Sequence, residues 1–323
     1  MENVVLKEAF NNLSVTGILA EKQLEIKEIN GKPSIVGELV IKTGENNLVK
    51  LRVFSSQYTR DGGESKAFKA FTTVMDEYKS IAETGNEETA DKVSAIGKVT
   101  EGKPYMNQKG EVVAYKSNQV SFISRVTDMT KYEPSAKWNL EVFVQGYKNE
   151  VKKIDGEMME TGRKILMGVV PVYGGKAYPA EFVLEEGVGA DWFEENVERN
   201  ATVRIYCDLV SRVEKVIQGS TGGGFGRREP QVFTNIINEV VIAGADDAYP
   251  TYEEGEENQK AFNPTAITQA LAIRKQAMEE VKENASTTTT TTTATTTNKV
   301  GFGGTSSTPV TQSSFMDEEE IPF

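Results

Sequence analysis

Apolar residues alternate with polar ones over much of the first 250 positions, the period of two expected of half-buried strands. Such runs lie at Leu13–Ile29, Ile35–Lys42 and Leu48–Tyr58. The period then changes: Ala67/Phe68, Phe71, Val74/Met75, Tyr78 and Ile81/Ala82 recur at helical spacing, and Gly85 suits the C-terminal stop. Two more strands, Val93–Val99 and Val120–Asp128, flank a hairpin-like insertion, PYMNQKGEVVAY. The same order follows again. Strands are expected at Asn139–Val151, Lys164–Tyr173 and Lys176–Leu184, the last two joined by a tight turn at Gly174–Gly175. A short helix around Asp191–Val197 precedes strands Thr202–Val216 and Val232–Ile242.

The two copies share details. LSVTGI (Leu13–Ile18) and VFVQGY (Val142–Tyr147) are strands interrupted by Gly17 and Gly146, where a bulge or sharp bend is expected. FISRVTD (Phe122–Asp128) likewise corresponds to IINEVVI (Ile236–Ile242). Three strands, a helix and two strands is the order of an OB-fold, a five-stranded barrel commonly used for oligonucleotides. The fold class expected is therefore mainly β, with tandem OB-fold domains at residues 1–133 and 134–249, each with a connecting helix. Two generic α+β domains are the competing reading.

Residues 250–285 form a linker and a helix. Asn263 is placed as N-cap, Pro264 as the first helical residue, and Ile267, Leu271, Met278 and Val281 as an apolar stripe. The stripe suits packing on the second domain; an oligomerisation contact is the alternative. Residues 286–314 are Thr/Ser-rich with almost no bulky apolar side chain, so disorder is expected there. As a flexible coil the segment would span roughly 30 Å. Residues 315–323, FMDEEEIPF, close the chain with four carboxylates followed by Ile-Pro-Phe. A solubilising tail accounts for the acids but not for the apolar end.

Composition narrows the chemistry. The chain has no histidine and one cysteine, Cys207, so no intramolecular disulfide, cysteine–histidine zinc cluster or histidine triad can be built. Cys207 lies in the apolar run VRIYCDLV and reads as a buried small hydrophobe. Carboxylates show no paired or metal-ligand spacing, so neither an enzyme nor a metal or other cofactor is expected. The N-terminus lacks signal-peptide features and no run is long enough to span a bilayer, which points to a soluble protein of the cytoplasm. The net charge of −12 weighs against nucleic acid, yet it is unevenly spread. Residues 244–323 hold 13 acids and 5 bases, and the rest of the chain holds 35 and 31. A local basic patch can dominate so balanced a body.

The strongest candidate surface is VKLRVFSSQYTR. Val49, Leu51 and Val53 point to one face of a strand and Lys50, Arg52 and Phe54 to the other, with Tyr58 and Arg60 beyond. Cations that follow phosphates and rings that stack on any base are what a single-strand binder needs. The two loops before the last strands add candidates: Lys103, Tyr105, Lys109, Tyr115 and Lys116 in the first copy, and Phe225, Arg227 and Arg228 on a glycine-rich loop in the second. The glycines do not form a phosphate cradle, because no Walker lysine–serine or GxGxxG stands between a strand and a helix. The second copy also offers Tyr147, Lys148, Lys152, Lys153, Tyr173 and Tyr178. Trp138 and Trp192 read as core or seam residues.

Two OB domains, a polar linker and a terminal DEEEIPF together resemble the bacterial single-stranded DNA-binding protein family. The resemblance implies a docking tip for replication, recombination and repair proteins. Phe323 would fill an apolar pocket and offer its α-carboxylate to a base, with Pro322 and Ile321 beside it. Asp317, Glu318, Glu319 and Glu320 would meet a basic rim. Two OB domains per chain depart from the common family plan, so two chains of two domains, or a monomer, are the natural assemblies. A divergent body with the family's tip suggests a phage- or plasmid-encoded version in a bacterial cytoplasm. The function expected is coating of single-stranded DNA and recruitment of partner enzymes, without catalysis. The alternative is an adaptor whose OB domains bind protein or RNA.

Overall fold

The computed structural model describes residues 6–154, 157–218, 231–256 and 259–290. The first barrel comprises β1 (Asn11–Ile29), β2 (Lys32–Lys42), β3 (Leu48–Ser56), α1 (Lys66–Glu77), α2 (Ile81–Thr84), β4 (Lys92–Glu101) and β7 (Lys116–Arg125). A small ribbon, β5 (Tyr105–Met106) and β6 (Val112–Val113), projects between β4 and β7. β1, β2 and β3 form an antiparallel meander, β3 runs parallel to β7, β7 pairs with β4, and β4 returns to β1. A closed ring in the order 1-2-3-5-4, with a helix between the third and fourth strands, is the OB topology. Leu13, Val15, Leu39, Ile41, Leu51, Val53 and Val93 fill the ring, and Phe71 and Val74 of α1 are buried with them.

The second barrel repeats this ring with β8 (Ser135–Ile154), β9 (Glu157–Val172), β10 (Lys176–Leu184), α3 (Val188–Asn196), β11 (Thr202–Gln218) and β12 (Gln231–Ala245). β8, β9 and β10 form a meander, β10 meets β12 in parallel at Val183 and Val241, and β11 closes onto β8. The fold is mainly β, as the alternation requires.

The rings are not separate beads. Asn11–Thr16 of β1 pairs antiparallel with Ser135–Leu140 of β8, so one ten-stranded sheet runs through both. Asn11 holds the seam: its amide donates to the Val99 carbonyl at 2.8 Å, and its Oδ1 accepts from Val99 N–H and, at 2.9 Å, from Trp138 Nε1. Trp138 is buried there against Phe182, and the apolar interior is continuous across the junction.

Several elements differ from the sequence reading. Gly17 is no bulge: the β1 bulge falls between Leu19 and Glu21, whereas a Cβ on Gly17 would lie 2.2 Å from the Lys42 carbonyl oxygen. Glycine there permits close approach of β2. Gly146 does sit at a bulge, with φ of 148°. The first helix breaks at Tyr78, and a second turn restarts at Ser80, whose side chain and Glu83 form a capping box. Gly85 then ends that turn in the left-handed region.

α4 (Pro264–Thr290) begins as read, with Asn263 Oδ1 accepting from Thr265 and Ala266 N–H. It continues to Thr290, past the boundary suggested at residue 286, since adding residues to a formed helix costs little. Ala266, Ile267 and Ala270 are buried where it packs on β10, and it also reaches β5 and β6 of the first barrel. Across that contact Arg274 makes a bidentate pair with Glu101, at 2.7 and 2.8 Å. Among the described residues no helix is long and apolar enough to cross a membrane.

Candidate nucleic-acid interface

The strand β3 presents the two faces its alternation requires. Val49, Leu51 and Val53 are buried, while Lys50 and Arg52 are exposed and Phe54 is half-buried. Their neighbours on β2 are Val40, Glu38 and Val36 respectively. Glu38 takes the ammonium of Lys50 at 2.8 Å. Beyond β2 the same face carries Glu21, Gln23 and Glu25 of β1, all exposed. The β1–β2 side is thus acidic and the β3 side basic. Tyr58, 42% exposed, bridges to Glu64 at the mouth of a turn on which Arg60 is exposed.

The connection from β4 to β7 carries a second group toward the start of β3, since Gln119, three residues into β7, stands beside Arg52 in the parallel pairing. Tyr105 and Tyr115 lie with ring centres 5.7 Å apart. Asn107 Oδ1 accepts from Lys109 and Glu111 N–H, forming the ribbon's turn and leaving Lys109 exposed, as is Lys103. Lys116 leans over the Tyr178 ring at 5.8 Å. Desolvation there lowers its pKa, partly offset by Glu101.

The second barrel requires corrections. Tyr178 is 1% exposed and donates its hydroxyl to the Val99 carbonyl, so it belongs to the inter-barrel core and cannot stack on a base. Tyr147 is half-buried, with its hydroxyl donated to the Val197 carbonyl at 2.8 Å, and burial pushes its pKa up to about 12. It anchors α3 rather than facing solvent. Lys148 pairs with Glu181, and Lys152 lies 2.9 Å from Glu239, in a cluster in which Arg163 is clamped by Glu150 and Glu239. A phosphate at Lys148 or Lys152 would have to displace these carboxylates, as one at Lys50 would have to displace Glu38. Tyr173, at the β9–β10 turn, is 79% exposed. Phe225, Arg227, Arg228 and the tip Asp317–Phe323 lie outside the described residues.

One group escaped the sequence reading. Phe122 and Ile96 are cross-strand neighbours on the outside of β7 and β4, 56% and 51% exposed. Plain alternation places Phe122 on the inward face with Val120. A bulge between Ile96 and Gly97 leaves Ser121 extra and turns Phe122 outward while Val120 stays buried. The sequence signal that could have found it is Gly97, a glycine inside β4 on which a Cβ would lie 2.0 Å from the Gln119 carbonyl oxygen.

The YorF family model matches residues 9–284. The chain belongs to the YorF family. In this YorF chain the match takes in both barrels and α4 as far as Asn284, and stops short of the Thr/Ser-rich segment and the tip. No curated protein matches the chain. Among solved structures, a deletion variant of the single-stranded DNA binding protein from Thermus aquaticus is 11% identical, with 77% of this chain and 99% of that one covered and a TM-score of 0.42. The wild-type Thermus aquaticus protein is 9% identical, with 78% and 98% covered and a TM-score of 0.42. The barrel assignment itself comes from the strand pairing described above.

Proposed function

We propose that this YorF-family protein binds single-stranded DNA without catalysis, on the β2–β3 face of its first barrel. The observation that supports this is β3 itself: a strand with Lys50, Arg52 and Phe54 outward, on the OB face suited to oligonucleotides. Bases stack on ring faces of any sequence, and cations track the backbone, so binding is sequence-tolerant. The acidic Ile-Pro-Phe end then serves to recruit DNA-processing proteins, a role carried by the residues Asp317–Phe323 alone.

Titration of oligo-dT, duplex and RNA in gel shifts, repeated across salt concentrations, tests the reading. Single strands are expected to bind best, with log affinity falling by about 0.7 per phosphate contact per decade of salt. Affinity indifferent to salt, or preference for duplex, overturns it. A second reading, a protein-binding adaptor, draws on Glu21, Glu25 and Glu38, which make half of the same face acidic. Failure to bind any single strand favours it.

A further inference from the structure

The charge on the proposed binding face is lopsided, and the lopsidedness gives the bound strand a direction. From β3 toward β1 the face meets Glu38, already joined to Lys50, then Glu21 and Glu25, the latter paired with Lys27. From β3 the other way, the parallel pairing sets Arg52 beside Gln119 of β7, and the next pairing sets Gln119 beside Lys98 of β4. Arg52 and Lys98 are both exposed, and among the described residues neither makes an ion pair. They stand two strand spacings apart, about 10 Å. Next to this cationic row stand Ile96, outward by the alternation of β4, and Phe122, turned outward by the bulge.

Two free cations and an exposed ring on one continuous barrel surface match a polyanion with stacking bases. A row of carboxylates repels it. Resting on the proposed single-strand function, we infer that the DNA strand leaves the β2–β3 face across β7 onto the outside of β4. There Lys98 takes a phosphate and Phe122 stacks a base. The exposed aromatic also has the chemistry of a contact with a second copy of the chain, and the test separates the two.

The full chain and its Phe122→Ala, Lys98→Ala and Lys98→Glu variants would be titrated with dye-labelled oligo-dT of increasing length at several salt concentrations. Light scattering on the same samples gives their mass. Phe122→Ala is expected to weaken binding about fivefold or more with the salt slope unchanged. Lys98→Ala should reduce the slope by about 0.7, and Lys98→Glu should weaken binding further. These losses should appear only with oligonucleotides long enough to pass beyond β3. If the parent binds oligo-dT and all three variants match it, the path is wrong while the single-strand function stands. If Phe122→Ala lowers the mass and leaves affinity unchanged, the face belongs to a second copy and the path is again wrong. If the parent does not bind, both readings fall. Should Phe122→Ala fail to fold, the exposed Lys98 variants decide alone.

Discussion

At the residue scale, the charges that matter to stability are not those that face the proposed ligand. Arg163 is 15% exposed and fills the space between Glu150 and Glu239, which are 11% and 10% exposed. The hydrogen bonds from Arg163, against the opposing effect of burial and with help from Lys152, hold the Glu239 carboxyl down to about 2. Burial alone would raise Glu150, but the bonds from Arg163 and Thr161 prevail and lower it. A carboxyl whose folded pKa lies below its unfolded value stabilises the fold fully above the ordinary range near 4.5, and loses that contribution as pH falls toward about 2. Glu239→Gln should therefore cost about 1–3 kcal/mol at neutral pH. It should also flatten the dependence of stability on pH between those limits. Thermal melts of both proteins across that range check it; parallel profiles would place the acid sensitivity elsewhere. Sequence spacing could not reveal this cluster, because its members come from β8, β9 and β12 and meet only when the barrel closes. Tyr178 was misread for a related reason, because nothing in KAYPAEF shows that the ring packs against the first barrel at Val99.

At the element scale, the strands and helices of both copies were legible because their apolar periods differ. What was not legible follows a pattern. β1 runs to Ile29 as its alternation requires, but β2 begins at Lys32, three residues before the run read at Ile35, because Lys32 and Pro33 are exposed and join the sheet only through pairing with Ile29 and Glu28. The β7 bulge shifts one residue and so puts Phe122 on the outward face while Val120 stays inside. α4 was legible as a helix from its cap and stripe, but its reach to the first barrel was not, since nothing around Arg274 in sequence points to Glu101. Its bond to Glu101 ties three elements: α4, β4 and, through Lys116 nearby, β7. Arg274→Ala should leave the mostly buried Glu101 carboxylate without its partner and cost about 2 kcal/mol or more. Amide exchange should quicken along α4 before it does in the β8–β11 pairing. Arg274→Met with Glu101→Leu should recover much of the loss, because an apolar pair leaves no stranded charge. Equal exchange in α4 of parent and Arg274→Ala would show that its apolar stripe alone holds the helix.

At the scale of the whole molecule, two barrels are joined through the β1–β8 pairing, and the proposed ligand surface occupies one part of the whole. The excess of negative charge lies elsewhere: residues 244–323 carry 13 acids against 5 bases, and Glu320 is followed by Ile321, Pro322 and Phe323. The separation allows one chain to hold an anionic strand and to offer an anionic peptide. In a short peptide contact, energy concentrates in a buried aromatic anchor, whereas carboxylates at the rim chiefly speed encounter. Deleting Phe323 should therefore abolish capture of a bacterial exonuclease or helicase while single-strand affinity stays the same or rises slightly. The rise would come from reduced competition between the tip and the DNA for basic surface. Replacing Asp317–Glu320 by neutral residues should slow association more than it speeds dissociation, since steering acts on encounter. Calorimetry with a peptide of residues 315–323 and its Phe-deleted form makes the comparison directly. Equal affinity of the two peptides would leave the terminal phenylalanine without a docking role and return the acids to solubility alone.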